Sequence, residues 1–350
     1  MIILHAHLTI IIPFVIALVS TYIATKFLLG YMKESGVTAI DHNKKSRPTL
    51  PSGIGIAMAF GFTIGVLSYA FGITANIFYS TISLESMFGA VLSVLLISLV
   101  GLLDDINVKS KEVETTDMKD TRKGMKQWQK PLLTFIGAIP LMALINSSKV
   151  DTILIPFIGK VNFGLAYPLL LVPLAVIFLA NAVNLLGGFD GIATGTSLIV
   201  AAALFIFSIY VGSYTGALLS GMLLACLIIF VPFNLFPAKM IPGDSFTYGV
   251  GAAFVAIAIL GNIEIFAVII TLPWTIEFLL HLKKKFKVTD LGKLKADGTF
   301  EAPYGKKIYS WTHFIMNIKS CKEWEVSAYM WLIELAFVLL GFALKAINLF

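Results

Sequence analysis

Histidine and cysteine are scarce: the 350-residue chain has five histidines and two cysteines. Cys226 sits within an apolar run and Cys321 in a basic segment, so no disulfide framework is implied. Charge is thin as well, with 13% Asp, Glu, Lys and Arg against 58% hydrophobic residues. Soluble domains carry about 25% charged residues, so an ordinary water-soluble fold is excluded. Low-complexity tracts and fixed-period repeats are lacking, which removes linkers, tails and solenoids from consideration. The first apolar run has neither a basic flank before it nor a small-residue cleavage pattern after it, and reads as a retained helix.

What is present is apolar length, at a mean hydropathy of +0.89. Runs of about 17–25 apolar residues, enough to cross a bilayer as helix, fall near 8–31, 53–73, 84–103, 131–147, 165–186, 193–212, 214–236, 246–260, 262–280 and 326–349. The chain is therefore expected to be an all-α polytopic membrane protein of about ten transmembrane helices, one domain over residues 1–350. Its 26 basic residues are lopsided against this map. Segment 32–52 carries Lys33, Lys44, Lys45 and Arg47; segment 104–130 carries Lys109, Lys111, Lys119, Arg122, Lys123, Lys126 and Lys130; Lys239 and the lysines of 281–325 follow. With Lys26, they share one side, leaving Lys149, Lys160 and Lys345 for the other. The positive-inside rule puts these loops in the cytoplasm and both termini outside. Such basic loops serve topology and anionic lipid, so the pI near 9.1 does not call for a nucleic-acid partner.

The polar residues gather at the same side. The third run ends as SLVGLLDDINVKS, delivering Asp104 and Asp105 to the interface; the fifth ends with Asn181 and Asn184; a GGFDG turn with Asp190 leads into the sixth; PGDSF places Asp244 at the mouth of the eighth. Each has a plain reading. Paired aspartates mark a water boundary, asparagines three apart bond neighbouring helices, and an aspartate before a serine caps a helix. Their coincidence at one membrane face points instead to a shared site. Carboxylates and an amide oxygen are the hard ligands that Mg²⁺ accepts, with Mn²⁺ as a substitute, and the lack of His and Cys there argues against zinc. Glycines allow close approach of an anion, helix N-termini favour negative charge, and nearby lysines add more. The set suits a pyrophosphate at the membrane surface.

NAVNLLGGFDG, GLLDD at a helix end, FNLFPAKMIPGDSFTYGVGA and RPTLPSGIGIA occur together, in order and spacing. In these the chain resembles the polyprenyl-phosphate N-acetylhexosamine-1-phosphate transferases, over most of its length. GDSFTYGVGA and LKADGTFEAPY make it most similar to the archaeal and eukaryotic branch that acts on UDP-GlcNAc and dolichyl phosphate. The bacterial branch usually carries a histidine-rich motif in the last cytoplasmic loop, where this sequence has only His281 and His313 nearby, and Gly187 stands where bacterial members have aspartate.

The resemblance implies transfer of GlcNAc-1-phosphate from a UDP-sugar to a polyprenyl phosphate, releasing UMP, at a cytoplasmic active site, as the first membrane step of N-glycan assembly. It assigns Mg²⁺ to Asn184 and Asp244. Asp104 and Asp105 would orient or deprotonate the lipid phosphate or reach the metal's outer shell. Lys130, and more weakly Lys126, would contact substrate phosphate; Asp190 would meet the uracil; Asn181 would line the substrate site; Lys44 and Asn43 would close over the donor. Ile241 replaces a family phenylalanine that faces the base. Direct attack is favoured over an aspartyl-phosphate intermediate, because a lipid phosphate is already an anionic nucleophile. Membrane lipid is a further partner and a homodimer a candidate assembly.

Two smaller expectations concern the last loop. HLKKKFK either grips sugar phosphate or anchors to anionic lipid, and HFIMNIKSCKEWEV, from His313 to Val326, has the mixed pattern of an interfacial helix. The alternatives are a bacterial-type transferase using undecaprenyl phosphate with UDP-GlcNAc or UDP-MurNAc-pentapeptide, and, from another class, an ion-coupled transporter. The one-sided cluster, the long basic loops and the lack of paired half-repeats count against the transporter.

Overall fold

The computed structural model describes residues 2–77, 80–107, 125–126, 128–148, 152–155 and 157–350. Lys109, Lys111, Lys119, Arg122, Lys123 and Lys149, used above for topology, lie outside the described residues.

The apolar runs fold as helix, and among the described residues six helices are long and apolar enough to cross a membrane. These are α1 (Ile2–Glu34), α2 (Ile56–Thr74), α3 (Leu84–Asn107), α7 (Ile192–Val211), α8 (Tyr214–Asn234) and α13 (Glu323–Ala346). Helices α10 (Glu264–Ile270) and α11 (Leu272–Leu282) meet at a 55° bend and are apolar enough together for one broken span or a re-entrant loop. The remaining runs are shorter. Between α4 (Gln129–Thr134) and α5 (Ile139–Ser148) the helix tightens into a 3₁₀ turn over Phe135–Ala138, where Gly137 lies against the Ile97 side chain. A π turn over Tyr167–Leu171 precedes α6 (Val172–Val183), with Pro168 and Pro173 removing two helical donors. Helix α9 spans Asp244–Leu260.

Small residues let the helices pack, as expected where lipid is as apolar as leucine. Gly61 and Gly65, one turn apart on α2, press against Thr21 and Ala17 of α1. The opposite face of α1 exposes Val19, Ile23 and Phe27, an apolar stripe suited to lipid. Helix α9 is the centre of the bundle: every residue from Ser245 to Ile259 is buried, against α3, α6, α2, α8 and α10.

Among the described residues three antiparallel hairpins connect helices. β1 (Thr38–Ile40) with β2 (Thr49–Pro51) follows α1, β3 (Thr152–Ile155) with β4 (Gly159–Asn162) joins α5 to the π turn, and β5 (Lys293–Leu294) with β6 (Phe300–Glu301) lies in the last loop. The expected interfacial helix is shorter than the sequence suggested. α12 covers Trp311–Ile318, and α13 begins at Glu323 after a bridge between Phe300 and Cys321. The break follows from Glu325, whose carboxylate accepts the Lys322 N–H at 2.7 Å and restarts the helix.

Candidate active site

The end of α3 and the start of α9 converge on one lysine of α4. Lys130 Nζ lies 2.7 Å from Asp104 Oδ2 and 2.8 Å from Asp244 Oδ2. Its ammonium also stands 5.8 Å from the ring centroid of buried Tyr248. The other oxygen of Asp104 accepts the Met125 N–H at 2.6 Å, tying the segment before α4 to the end of α3. Thr247 Oγ1 donates to Asn184 Oδ1 at 2.8 Å and lies 3.3 Å from the Asp244 main-chain carbonyl, so the first turn of α9 is tied to the end of α6.

Asp105 has another task. Its two oxygens accept the backbone N–H of Asp244 at 2.7 Å and of Ser245 at 3.0 Å, capping α9 from a different helix. No side chain within the α9 segment does this. Gly243 makes the approach possible: at φ +80°, a Cβ there would fall about 2.5 Å from the Asp105 carboxylate. The catalytic expectation for Asp105 thus meets a carboxylate whose oxygens are already engaged by backbone. Asn181 turns elsewhere too, donating to Ile177 C=O at 2.8 Å and to buried Thr134 Oγ1 at 3.3 Å. That is the bond between neighbouring helices, not a place in the lysine-centred cluster. Lys126 is exposed, and its N–H bonds Gln129 Oε1 at 2.8 Å.

A second centre forms around Lys44, in the loop between β1 and β2. Its Nζ lies 2.6 Å from Glu323 Oε2, 2.8 Å from Asp190 Oδ2 and 3.0 Å from Asp41 Oδ2. Burial works to lower the Lys44 pKa, but hydrogen bonds to Asp190 and Glu323, with their charge, outweigh it and hold the ammonium above the ordinary lysine value. Asn43 Nδ2 donates to Gly188 C=O at 2.6 Å, and Asp190 Oδ2 accepts the Ala238 N–H at 2.9 Å. The half-exposed ring of Phe236 lies 4.9 Å from Lys44 Nζ. Ile241 itself pairs by backbone with Pro51 and Ser52, docking the RPTLPSGIGIA segment beside PGDSF.

Sequence reasoning missed Glu323, Ser327 and Trp331. Spaced four apart on α13, they hold the GGFDG turn from one side. Glu323 meets Lys44, Ser327 Oγ donates to Asp190 C=O at 2.6 Å, and Trp331 Nε1 donates to Gly191 C=O at 2.9 Å. A polar residue every four positions on an apolar helix was the available signal.

The sequence pattern of glycosyl transferase family 4 matches residues 87–262, which contain most of α3 with Asp104, and Lys130, Asn184, Asp190 and Asp244. The chain belongs to that family. It is 31% identical over 98% of both chains to a Sulfolobus acidocaldarius protein named as a candidate UDP-N-acetylglucosamine–dolichyl-phosphate N-acetylglucosaminephosphotransferase. A Saccharolobus solfataricus protein of the same name is 30% identical over 97% of both. Likeness to a Clostridium perfringens phospho-N-acetylmuramoyl-pentapeptide-transferase is less extensive, 31% over 65% of this chain and 70% of that one. Family membership removes the transporter reading, and the longer matches side with the branch inferred from GDSFTYGVGA and LKADGTFEAPY.

Proposed function

We propose that this protein transfers GlcNAc-1-phosphate from UDP-GlcNAc to a polyprenyl phosphate of the dolichyl type. The observation that carries the reading is the Asp104–Lys130–Asp244 centre with Asn184 beside it. An oxygen of the lipid phosphate attacks the sugar-linked phosphorus of UDP-GlcNAc. A new P–O bond forms as the bond to the UMP phosphate breaks, leaving UMP and a sugar on lipid pyrophosphate. Both reactants are anions, so the site must lower their repulsion and hold them in line.

Lys130 is suited to the transferring phosphoryl group, being held between two carboxylates that fix its position. Asp104 orients that lysine, and Asp105 fixes the start of α9. Lys44, Asp190 and the Phe236 face are suited to the uridine: a carboxylate accepts a base N–H, and an aromatic ring offers a stacking surface. Asn184 at the end of α6 and Asp244 at the start of α9 offer only oxygen donors, the kind a hard divalent cation such as Mg²⁺ accepts. When bound, that ion would neutralise pyrophosphate charge.

The short helices are read as spans, giving about ten with the active site on the cytoplasmic face. The 17 residues of α9 reach about 26 Å at 1.5 Å each, close to the hydrocarbon thickness of about 30 Å. The test is UMP release by purified protein from UDP-GlcNAc and dolichyl phosphate, with and without Mg²⁺, alongside Asn184→Ala and Asp244→Ala. Metal-dependent release, matched by lipid-linked GlcNAc and lost in both folded variants, is expected. A folded protein inactive with several UDP-sugars and polyprenyl phosphates overturns the reading.

A further inference from the structure

The GGFDG turn has a contact on its open side that the proposed reaction does not use. Gly187 and Gly188 point consecutive backbone N–H groups at one oxygen, Asp290 Oδ2, at 3.1 and 2.6 Å. Two adjacent amides aimed at one anion form a small anion-binding concavity, and here a carboxylate about a hundred residues further along the chain fills it. The approach is close enough that a Cβ on Gly188 would lie 2.7 Å from both Asp290 oxygens. Only glycine permits it.

A loosely tethered carboxylate there would be a place-holder, to be displaced by substrate phosphate. Asp290 is instead fixed on both sides. Its carbonyl accepts Thr312 Oγ1 at 2.6 Å, from a fully buried threonine at the start of α12. The Thr289 N–H before it donates to Tyr304 Oη at 3.2 Å, and Gly292 after it is packed against Met316 and Phe300. The Phe300 ring meets Phe189 of the turn edge to face, with centroids 5.1 Å apart. The two peptides flanking the Gly188 Cα are thus both held, the Gly188 N–H by Asp290 and the Gly188 C=O by Asn43. Two residues on, Asp190 contacts Lys44.

We infer that Asp290 is a positioning residue for the donor nucleotide: it fixes the Gly187–Gly188 amides so that Asp190 is presented to the uridine. This rests on the proposed transferase reading. Asp290 does not touch the reacting atoms, so its loss acts on donor binding and spares the chemical step.

The experiment compares wild type, Asp290→Ala and Asp290→Asn by UMP release, varying UDP-GlcNAc and dolichyl phosphate separately. Backbone hydrogen exchange is followed over residues 185–191 without substrate. Alanine is expected to raise KM for the donor about tenfold or more, the loss of a charge-assisted bond, leaving kcat and the acceptor KM within about twofold. Exchange in the turn should quicken. Asparagine keeps an acceptor oxygen and should restore most of both readouts. A donor KM unchanged or lowered by alanine overturns the inference while the transferase reading stands; the lowered value would mark Asp290 as a competitor for the amides. Unchanged exchange in alanine overturns it as well. Absence of wild-type turnover removes the transferase reading, and this inference with it.

Discussion

Replacing Asp105 separates a helix cap from a catalytic base. In the structure its carboxylate accepts two N–H groups from the first turn of α9, at 2.7 and 3.0 Å, and is 8% exposed. Hydrogen bonds to a charged group contribute about 1.5–3 kcal/mol each, whereas a helix cap is worth about 0.5–2 kcal/mol by substitution. The two bonds share one carboxylate and are not independent, so Asp105→Ala should cost about 2–4 kcal/mol. Asp105→Asn keeps one acceptor oxygen and turns an NH₂ toward the other amide, costing about 1–2 kcal/mol. Thermal unfolding in detergent should therefore rank wild type above asparagine above alanine. UMP release by the asparagine variant, measured well below its unfolding temperature, should stay within about tenfold of wild type. An asparagine variant as stable as wild type but inactive would refute the argument and return Asp105 to the chemistry.

Lys130→Met leaves Asp104 and Asp244 facing each other without their shared cation, so UMP release should fall about 100-fold or more in protein that still elutes as a monodisperse peak. Trp331→Phe deletes the indole N–H that meets Gly191 C=O and empties part of the space the indole fills against Gly191 and Gly195, and should cost about 2 kcal/mol, read as a drop in unfolding temperature. His313 is fully buried, its Nδ1 accepts the Tyr309 N–H at 3.3 Å, and burial pushes its pKa down from 6.5 to about 4. Its neutral form is favoured in the folded state, so that stability is full above pH 6.5 and is lost as pH falls toward 4, by up to about 3 kcal/mol. Unfolding scans at pH 7.5, 5.5 and 4.5 should show a steeper acid loss in wild type than in His313→Gln.

Much of the site was legible because its residues stand at ends of apolar runs. Asp104, Lys130, Asn184 and Asp244 each interrupt or border a hydrophobic stretch at a place where only an interface tolerates polarity; the structure joins Asp104 and Asp244 through Lys130 and ties Asn184 to the first turn of α9 through Thr247. The helix count was harder. A run such as 131–147 reads as one regular span by hydropathy, yet it tightens into a 3₁₀ turn at Gly137, between α4 and α5, where Gly137 lies against Ile97 of α3. The division of labour between Asp104 and Asp105 was not legible at all. Successive residues on a helix point about 100° apart, so one turned to Lys130 and the other to the start of α9. Asp290 was invisible for a related reason. Its partners lie about a hundred residues away, in a loop without periodicity, and only the folded chain brings the two together.

The charge balance of the two centres carries a last consequence. Around Lys130, two carboxylates share one ammonium; around Lys44, three share one. Neither centre as folded offers net positive charge to a donor that brings a pyrophosphate. A neutral uridine feels little of this, because its recognition rests on hydrogen bonds and ring contact, whereas the pyrophosphate must enter against like charge. A divalent cation held by Asn184 and Asp244 should therefore govern affinity for the phosphates and not for the nucleoside. Binding of UDP-GlcNAc and of uridine, each followed by competition in saturating chelator and then in millimolar Mg²⁺, measures the difference. Chelation should weaken UDP-GlcNAc at least about tenfold and uridine less than about twofold. Equal weakening of the two would mean that the ion shapes the nucleoside pocket, and equal indifference that the lysines alone balance the pyrophosphate.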